Sequence, residues 1–190
     1  SEGILACGAE LKNTFALGKG NQAILSQHIG DLKNPETFDF YTETMGRFSK
    51  LFRFTPSHVA CDLHPDYLSS VYAESLHLPL TRVQHHHAHI ASVLAEHQYD
   101  GQVIGVSLDG TGLGDDGAIW GGEFLLADLQ SYTRAAHFQY VPMPGGDKAA
   151  NEPWRMGVAY LHNTFGGSFT GFNLPFLDMV GRDKVNLLLQ

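Results

Sequence analysis

One pattern restricts the fold of this chain more than any other. An apolar strand, a polar turn with glycine and a returning strand occur near the start and again past the middle. The first occurrence is Ile4-Leu5-Ala6-Cys7 and Thr14-Phe15-Ala16-Leu17, with Gly8, Glu10, Lys12 and Asn13 between them. The second is the buried-type run Val103–Leu108 and the strand Phe124–Ala127, joined across Asp109–Gly117. After the turn Gly18–Asn21, Ala23–Gln27 adds a third strand, which predicts a sheet with an antiparallel portion. The recurrence, without clear sequence repetition, predicts two α/β blocks, 1–100 and 101–190, meeting near Tyr99–Gly101.

Helices alternate with these strands. Asn34 and Pro35 form a helix start, followed by Phe38, Tyr41, Met45, Phe48 and Phe52 at spacings of three and four. Strands are expected at His58–Leu63 and Thr81–Gln84. Helices are expected at Asp66–Leu76, His85–Glu96 and Trp154–Phe165, with a loop over Pro142–Pro153. The last 25 residues carry no assignment.

Apolar residues make up 43% of the 190, enough for a buried core, and only 17% are charged. The net charge of −8, without a basic run, argues against a nucleic-acid partner. No stretch approaches the ~18 apolar residues of a membrane span. Cys7 and Cys61 stand alone in apolar segments, which fits a reducing, cytoplasmic setting better than a disulfide framework. The chain opens on Ser1 and ends in an apolar run, so a piece of a longer protein is expected.

The chemistry concentrates in His85-His86-His87-Ala88-His89. On a helix His85 and His89 are one turn apart on one face, so two imidazoles can converge on one cation. A histidine stands where an HExxH helix has its glutamate, so the zinc-protease base is missing. Asp109, at the end of the strand opening the second block, is the candidate third ligand, and such a set suits zinc or iron. A surface or core-bonded histidine cluster is the plain alternative.

Glycine-rich turns supply candidate ligand contacts. Gly110, Thr111 and Gly112 follow a buried strand and let backbone N–H groups approach an anion. Gly145, Gly146, Asp147 and Lys148 form a second such loop, with Arg155 beyond it, and Lys12 sits in the first hairpin turn. Asp62 and His64 lie where a strand ends, the place where α/β folds line ligand crevices.

Four segments in order then resemble one family. Asp62-Leu63-His64-Pro65-Asp66-Tyr67, Val83-Gln84-His85-His86-His87-Ala88-His89, Asp109-Gly110-Thr111-Gly112 and Pro144-Gly145-Gly146-Asp147 are similar to the C-terminal part of the HypF carbamoyltransferases of [NiFe]-hydrogenase maturation. The resemblance implies an actin-like and sugar-kinase-like (ASKHA) architecture of two lobes around a nucleotide cleft, with the second lobe incomplete here. It implies metal ligation by His85, His89 and Asp109, with a further ligand outside these residues. It implies carbamoyl-adenylate as the bound intermediate, upstream HypF domains that make it, and the C-terminal cysteine of HypE as acceptor. His86, Asp62 and His64 are then candidates for binding the carbamoyl group or taking the thiol proton. Cys7-Gly8-Ala9-Glu10 replaces the superfamily's Asp-x-Gly phosphate signature, which favours a transferase over a kinase cycle. A metallohydrolase and a non-catalytic partner-binding lobe are the competing readings.

Overall fold

The computed structural model describes residues 3–146 and 148–189. The first sheet contains β1 (Ile4–Ala6), β2 (Ala16–Lys19), β3 (Gln22–Leu25), β4 (His58–Asp62) and β5 (Leu80–Val83), in the order β3-β2-β1-β4-β5. β1 to β3 meander antiparallel, while β4 and β5 run parallel to β1. The parallel pairs require crossovers, supplied by α1 (Pro35–Leu51) and α2 (Leu68–Ser75).

The start of α1 follows the sequence signal. The Asn34 side chain accepts from the Thr37 N–H at 3.2 Å, and Pro35 occupies the first turn, where its missing N–H costs nothing. The apolar face of α1 places Tyr41 and Met45 in a core with Leu5, Cys7, Phe15, Leu17, Val59, Cys61 and Ala73. Tyr41 stacks edge-on with Tyr72 of α2 and donates its hydroxyl to the Cys7 carbonyl at 3.0 Å. Both cysteines are free and buried. Burial pushes the Cys7 thiol up to about 12, which leaves it unreactive.

The chain leaves β5 and enters α3 (His85–Glu96) with one residue between them. That residue, Gln84, is the N-cap, its side-chain oxygen accepting from the His87 N–H at 3.0 Å. A second sheet follows in the order β10-β9-β6, made of β6 (Val103–Ser107), β9 (Glu123–Ala127) and β10 (Tyr132–His137). Between β6 and β9, the small antiparallel pair β7 (Gly112–Leu113) and β8 (Ile119–Trp120) folds where a plain turn was expected. α3 packs on β6 and β9 through Ile90 and Leu94 against Leu125 and Ala127. A Cβ on Gly105 would stand 2.1 Å from Ile90, so glycine sets this close helix–strand approach.

Contacts divide the chain into two compact units, 1–136 and 137–190. The packing of α3 on β6 and β9 places residues on both sides of Tyr99–Gly101 within the first unit. The second unit is helical. Expected as a loop with one helix, it contains α4 (Lys148–Asn151), α5 (Trp154–Phe165), a 3-10 turn, α6 (Pro175–Val180) and α7 (Arg182–Leu188) around Val158, Phe169, Leu177 and Val185. β10 and the last two helices gave no period that sequence reading resolved. No helix among the described residues is long and apolar enough to cross a membrane.

Candidate metal centre

The centre lies at the start of α3 and the end of β6. His85, at the first helical position, and His89, one turn on, bring their Nε2 atoms to 3.2 Å. Asp109 faces both, its Oδ2 lying 3.3 Å from His85 Nε2 and 3.6 Å from His89 Nε2. One ligand atom from each of the three falls within 4.8 Å of the others. The three expected metal ligands are therefore gathered at one point.

Hydrogen bonds fix each group. His85 Nδ1 donates to Asp62 Oδ2 at 2.7 Å, which leaves the Nε2 lone pair of the neutral ring aimed at Asp109 and His89. Asp62 Oδ1 accepts the His64 N–H at 2.9 Å, so both oxygens of Asp62 are engaged. Ser107 donates its hydroxyl to Asp109 Oδ1 at 2.7 Å; the two residues are one strand period apart and share a face. Burial pushes the Asp109 carboxyl up, but the facing His85 and His89 imidazoles and the Ser107 hydroxyl outweigh it and hold the group far below the usual carboxylate range.

His86, a candidate for the carbamoyl group in the sequence, is fully buried. The Gln84 amide donates to the Leu113 carbonyl at 3.1 Å and to His86 Nδ1 at 3.0 Å. The neutral His86 ring therefore carries its proton on Nε2, which lies 3.2 Å from Asp109 Oδ1 without a hydrogen bond between them. Burial lowers the His86 pKa and keeps the ring neutral. Its place is behind Asp109. His87 turns the other way, onto the Asp128 carbonyl at 2.8 Å.

His64, half-buried, accepts the Asp66 N–H on Nδ1 at 3.2 Å, so its neutral form carries a proton on Nε2 and offers a donor. Gly112 packs against His85 and His86, which assigns it a packing role the phosphate reading of this turn did not include. Gly110 and Thr111 precede it on the same turn, Gly110 exposed and Thr111 half-buried. Lys12 is exposed in the turn between β1 and β2. In the second unit, Gly145 and Gly146 take positive φ of 86° and 58° in a turn ahead of α4, and Lys148 is exposed at that helix's start. Asp147 lies outside the described residues. Arg155 is held by Glu152 and stands 4.9 Å over Trp154. Sequence reading missed Gln84, Ser107 and Glu10, the last a buried carboxylate accepting the Leu68 N–H at 2.8 Å. Strand periodicity and the N-cap position were the available signals for Ser107 and Gln84.

Two buried polar atoms have no hydrogen-bond partner here: His86 Nε2 and Asp109 Oδ2. The second is the oxygen facing both ligand imidazoles. Leaving it unpaired in a buried site is costly, and a cation between it and the two Nε2 atoms removes that cost. The residues therefore fit a divalent ion, with a nitrogen-rich donor set suited to zinc or ferrous iron.

Fold and site together define a mixed α/β domain that gathers two imidazoles and a carboxylate at a helix start. The sequence matches the HypF Kae1-like domain over residues 1–96, and the second subdomain of the carbamoyltransferase Kae1-like domain over residues 105–186. It is 48% identical over 158 residues to the carbamoyltransferase HypF of Rhizobium leguminosarum bv. viciae, covering 83% of this chain and 21% of that one. It is 45% identical over 172 residues to the HypF of Synechocystis, covering 90% of this chain and 22% of that one. The crystal structure of full-length HypF in its phosphate- and nucleotide-bound form superposes with a TM-score of 0.86 at 45% identity, over 100% of this chain and 24% of that one. The chain belongs to the HypF carbamoyltransferase family. It spans about a fifth of the length of the curated relatives it matches.

Proposed function

We propose that this domain carries out the carbamoyl-transfer step of [NiFe]-hydrogenase maturation: it binds carbamoyl-adenylate at a divalent metal on His85, His89 and Asp109 and passes the carbamoyl group to the C-terminal cysteine of HypE. The observation that carries the reading is the convergence of His85 Nε2 and His89 Nε2 on the unpartnered Asp109 Oδ2. Similarity to a HypF bound to phosphate and nucleotide supports the ligand class. In this reading the two α/β blocks are the lobes of an ASKHA fold, the intermediate comes from other HypF domains, and the setting is the reducing cytoplasm.

In the transfer, the acceptor sulfur bonds to the carbamoyl carbon, the bond from that carbon to the phosphate oxygen breaks, and AMP leaves with the electron pair. A bound divalent ion supplies charge stabilisation on the departing phosphate. Asp62 orients His85 through Nδ1, and Ser107 with His86 steadies Asp109. None of the three candidate catalytic residues is free to act as base. Asp62 has both oxygens bonded, His86 is buried, and His64 has Nδ1 engaged. The acceptor cysteine therefore enters as a thiolate whose proton has gone to solvent. His64 Nε2–H is a donor for the carbamoyl group or the phosphate.

The test is His85→Ala and His89→Ala in the intact protein, measuring bound metal and carbamoyl transfer to HypE. Loss of both is expected. Survival of both would refute the reading.

A further inference from the structure

Tyr67 is the N-cap residue of α2, yet its side chain makes no capping bond. Its ring is spent on another contact, lying 4.3 Å from the His64 ring and within 4° of parallel. Both neighbours of this stack are anchored. The His64 N–H donates to Asp62, which in turn holds His85. The Leu68 N–H, next in the chain, donates to the buried Glu10 at 2.8 Å. Tyr67 is thus fixed two hydrogen bonds from a candidate metal ligand, and its hydroxyl has no hydrogen-bond partner among the described residues. Burial, then the charges of Asp62, Glu10 and Asp109, push that hydroxyl's pKa up. It therefore stays protonated and can only be pulled toward an acceptor.

Apart from His64 Nε2–H, the centre is rich in acceptors and poor in donors. Asp62, Asp109 and Glu10 are carboxylates, and the N–H of His85 Nδ1 is spent on Asp62. A carbamoyl group presents a carbonyl oxygen on which negative charge builds as sulfur attacks the carbon. Carboxylates cannot stabilise that oxygen, whereas fixed donors can. We propose that the Tyr67 hydroxyl donates a hydrogen bond to the carbonyl oxygen of the carbamoyl group, with the His64 ring as the platform that positions it. This rests on the carbamoyl-adenylate reading above and deepens it by assigning a specificity contact.

Tyr67→Phe isolates the hydroxyl, because phenylalanine keeps the stack on His64. Three quantities are measured on the intact protein: bound metal, calorimetric affinity for AMP, and affinity for a sulfamate-linked, non-hydrolysable analogue of carbamoyl-adenylate. The variant is expected to retain metal and AMP affinity and to bind the analogue about ten- to a hundredfold more weakly, with carbamoyl transfer falling to match. Equal weakening toward AMP and analogue, or no weakening of either, overturns the Tyr67 assignment. Failure of the unsubstituted protein to bind the analogue overturns the carbamoyl-adenylate reading itself, and the assignment with it. Metal loss in Tyr67→Phe would make the residue part of the metal scaffold and overturn the assignment too.

Discussion

Gly112 lies so close to His86 that a Cβ carried there would stand 2.7 Å from the ring's Cε1. Cβ of His85 would be 3.2 Å away. The constraint is steric and not conformational, since φ at this position is not in the left-handed region. β7 cannot simply retreat, because Gly112 pairs with Trp120 across the β7–β8 ladder and Trp120 packs on His86 at 5.8 Å. Gly112→Ala is expected to destabilise the fold by about 1–3 kcal/mol, the usual cost of overpacking. Pushing His86 off Asp109 should also weaken metal binding. Chemical denaturation and a metal-competition titration measure the two effects; an unchanged midpoint would mean the hairpin yields freely.

Asp62 contributes to the centre without being one of its three candidate ligands. Asp62→Asn keeps a carbonyl oxygen for the His85 Nδ1–H but removes the charge that makes this ring a better donor. A partner of this kind changes metal affinity by roughly ten- to a hundredfold. The expected result is a weaker zinc affinity with all three ligands intact. Equal affinities for the two proteins would show that Asp62 serves only the His64 turn.

Protons compete with the metal at His85. In the metal-free protein, the neighbouring carboxylates of Asp109 and Asp62 raise its pKa to about 9 against the opposing effect of burial. Binding at neutral pH must expel that proton. From this group alone, zinc affinity should rise about fiftyfold between pH 7 and pH 9. The metal-free fold behaves oppositely. A raised folded-state pKa gives stability that is complete below the unfolded value of about 6.5 and lost as pH rises through about 9. Melting temperature against pH should therefore fall across this window without zinc and stay nearly flat with saturating zinc, the gain in affinity offsetting the loss. Parallel slopes would remove His85 from the metal site.

How far the sequence could be read depended on the kind of signal. α3 fell at His85–Glu96 as expected, because histidines at one-turn spacing and the apolar pair Ile90 and Leu94 both agree with helix. Asp109 was legible because it follows an apolar strand run. The division of work among the histidines was not. His86 and His87 differ from His85 only in helical phase, and which phase faces the core depends on where β7 and β9 pack. β7 and β8 were hidden because two-residue strands carry no period, and β10 alternates weakly with an exposed face. Nothing local links Glu10 to Leu68, 58 residues on.

The hairpin beneath the centre depends on one buried charge. Glu123 is 1% exposed and accepts Arg134 Nε at 2.6 Å and the N–H groups of Gly121 and Gly122 at 3.1 and 3.3 Å. Burial pushes its pKa up, but these partners more than compensate and hold it below the usual range. Arg134 also lies over the Trp120 ring at 4.0 Å, joining the charge pair to the residue that packs on His86. Arg134→Ala strands a buried carboxylate and should cost about 3–5 kcal/mol. Glu123→Gln added to it removes the stranded charge, so the double variant should be more stable than the single one. Denaturation midpoints of the three proteins decide the matter. If the double variant is no more stable than Arg134→Ala, the loss comes from the other contacts of Arg134, with Trp120 and Asp116 among them, and not from the unpaired charge.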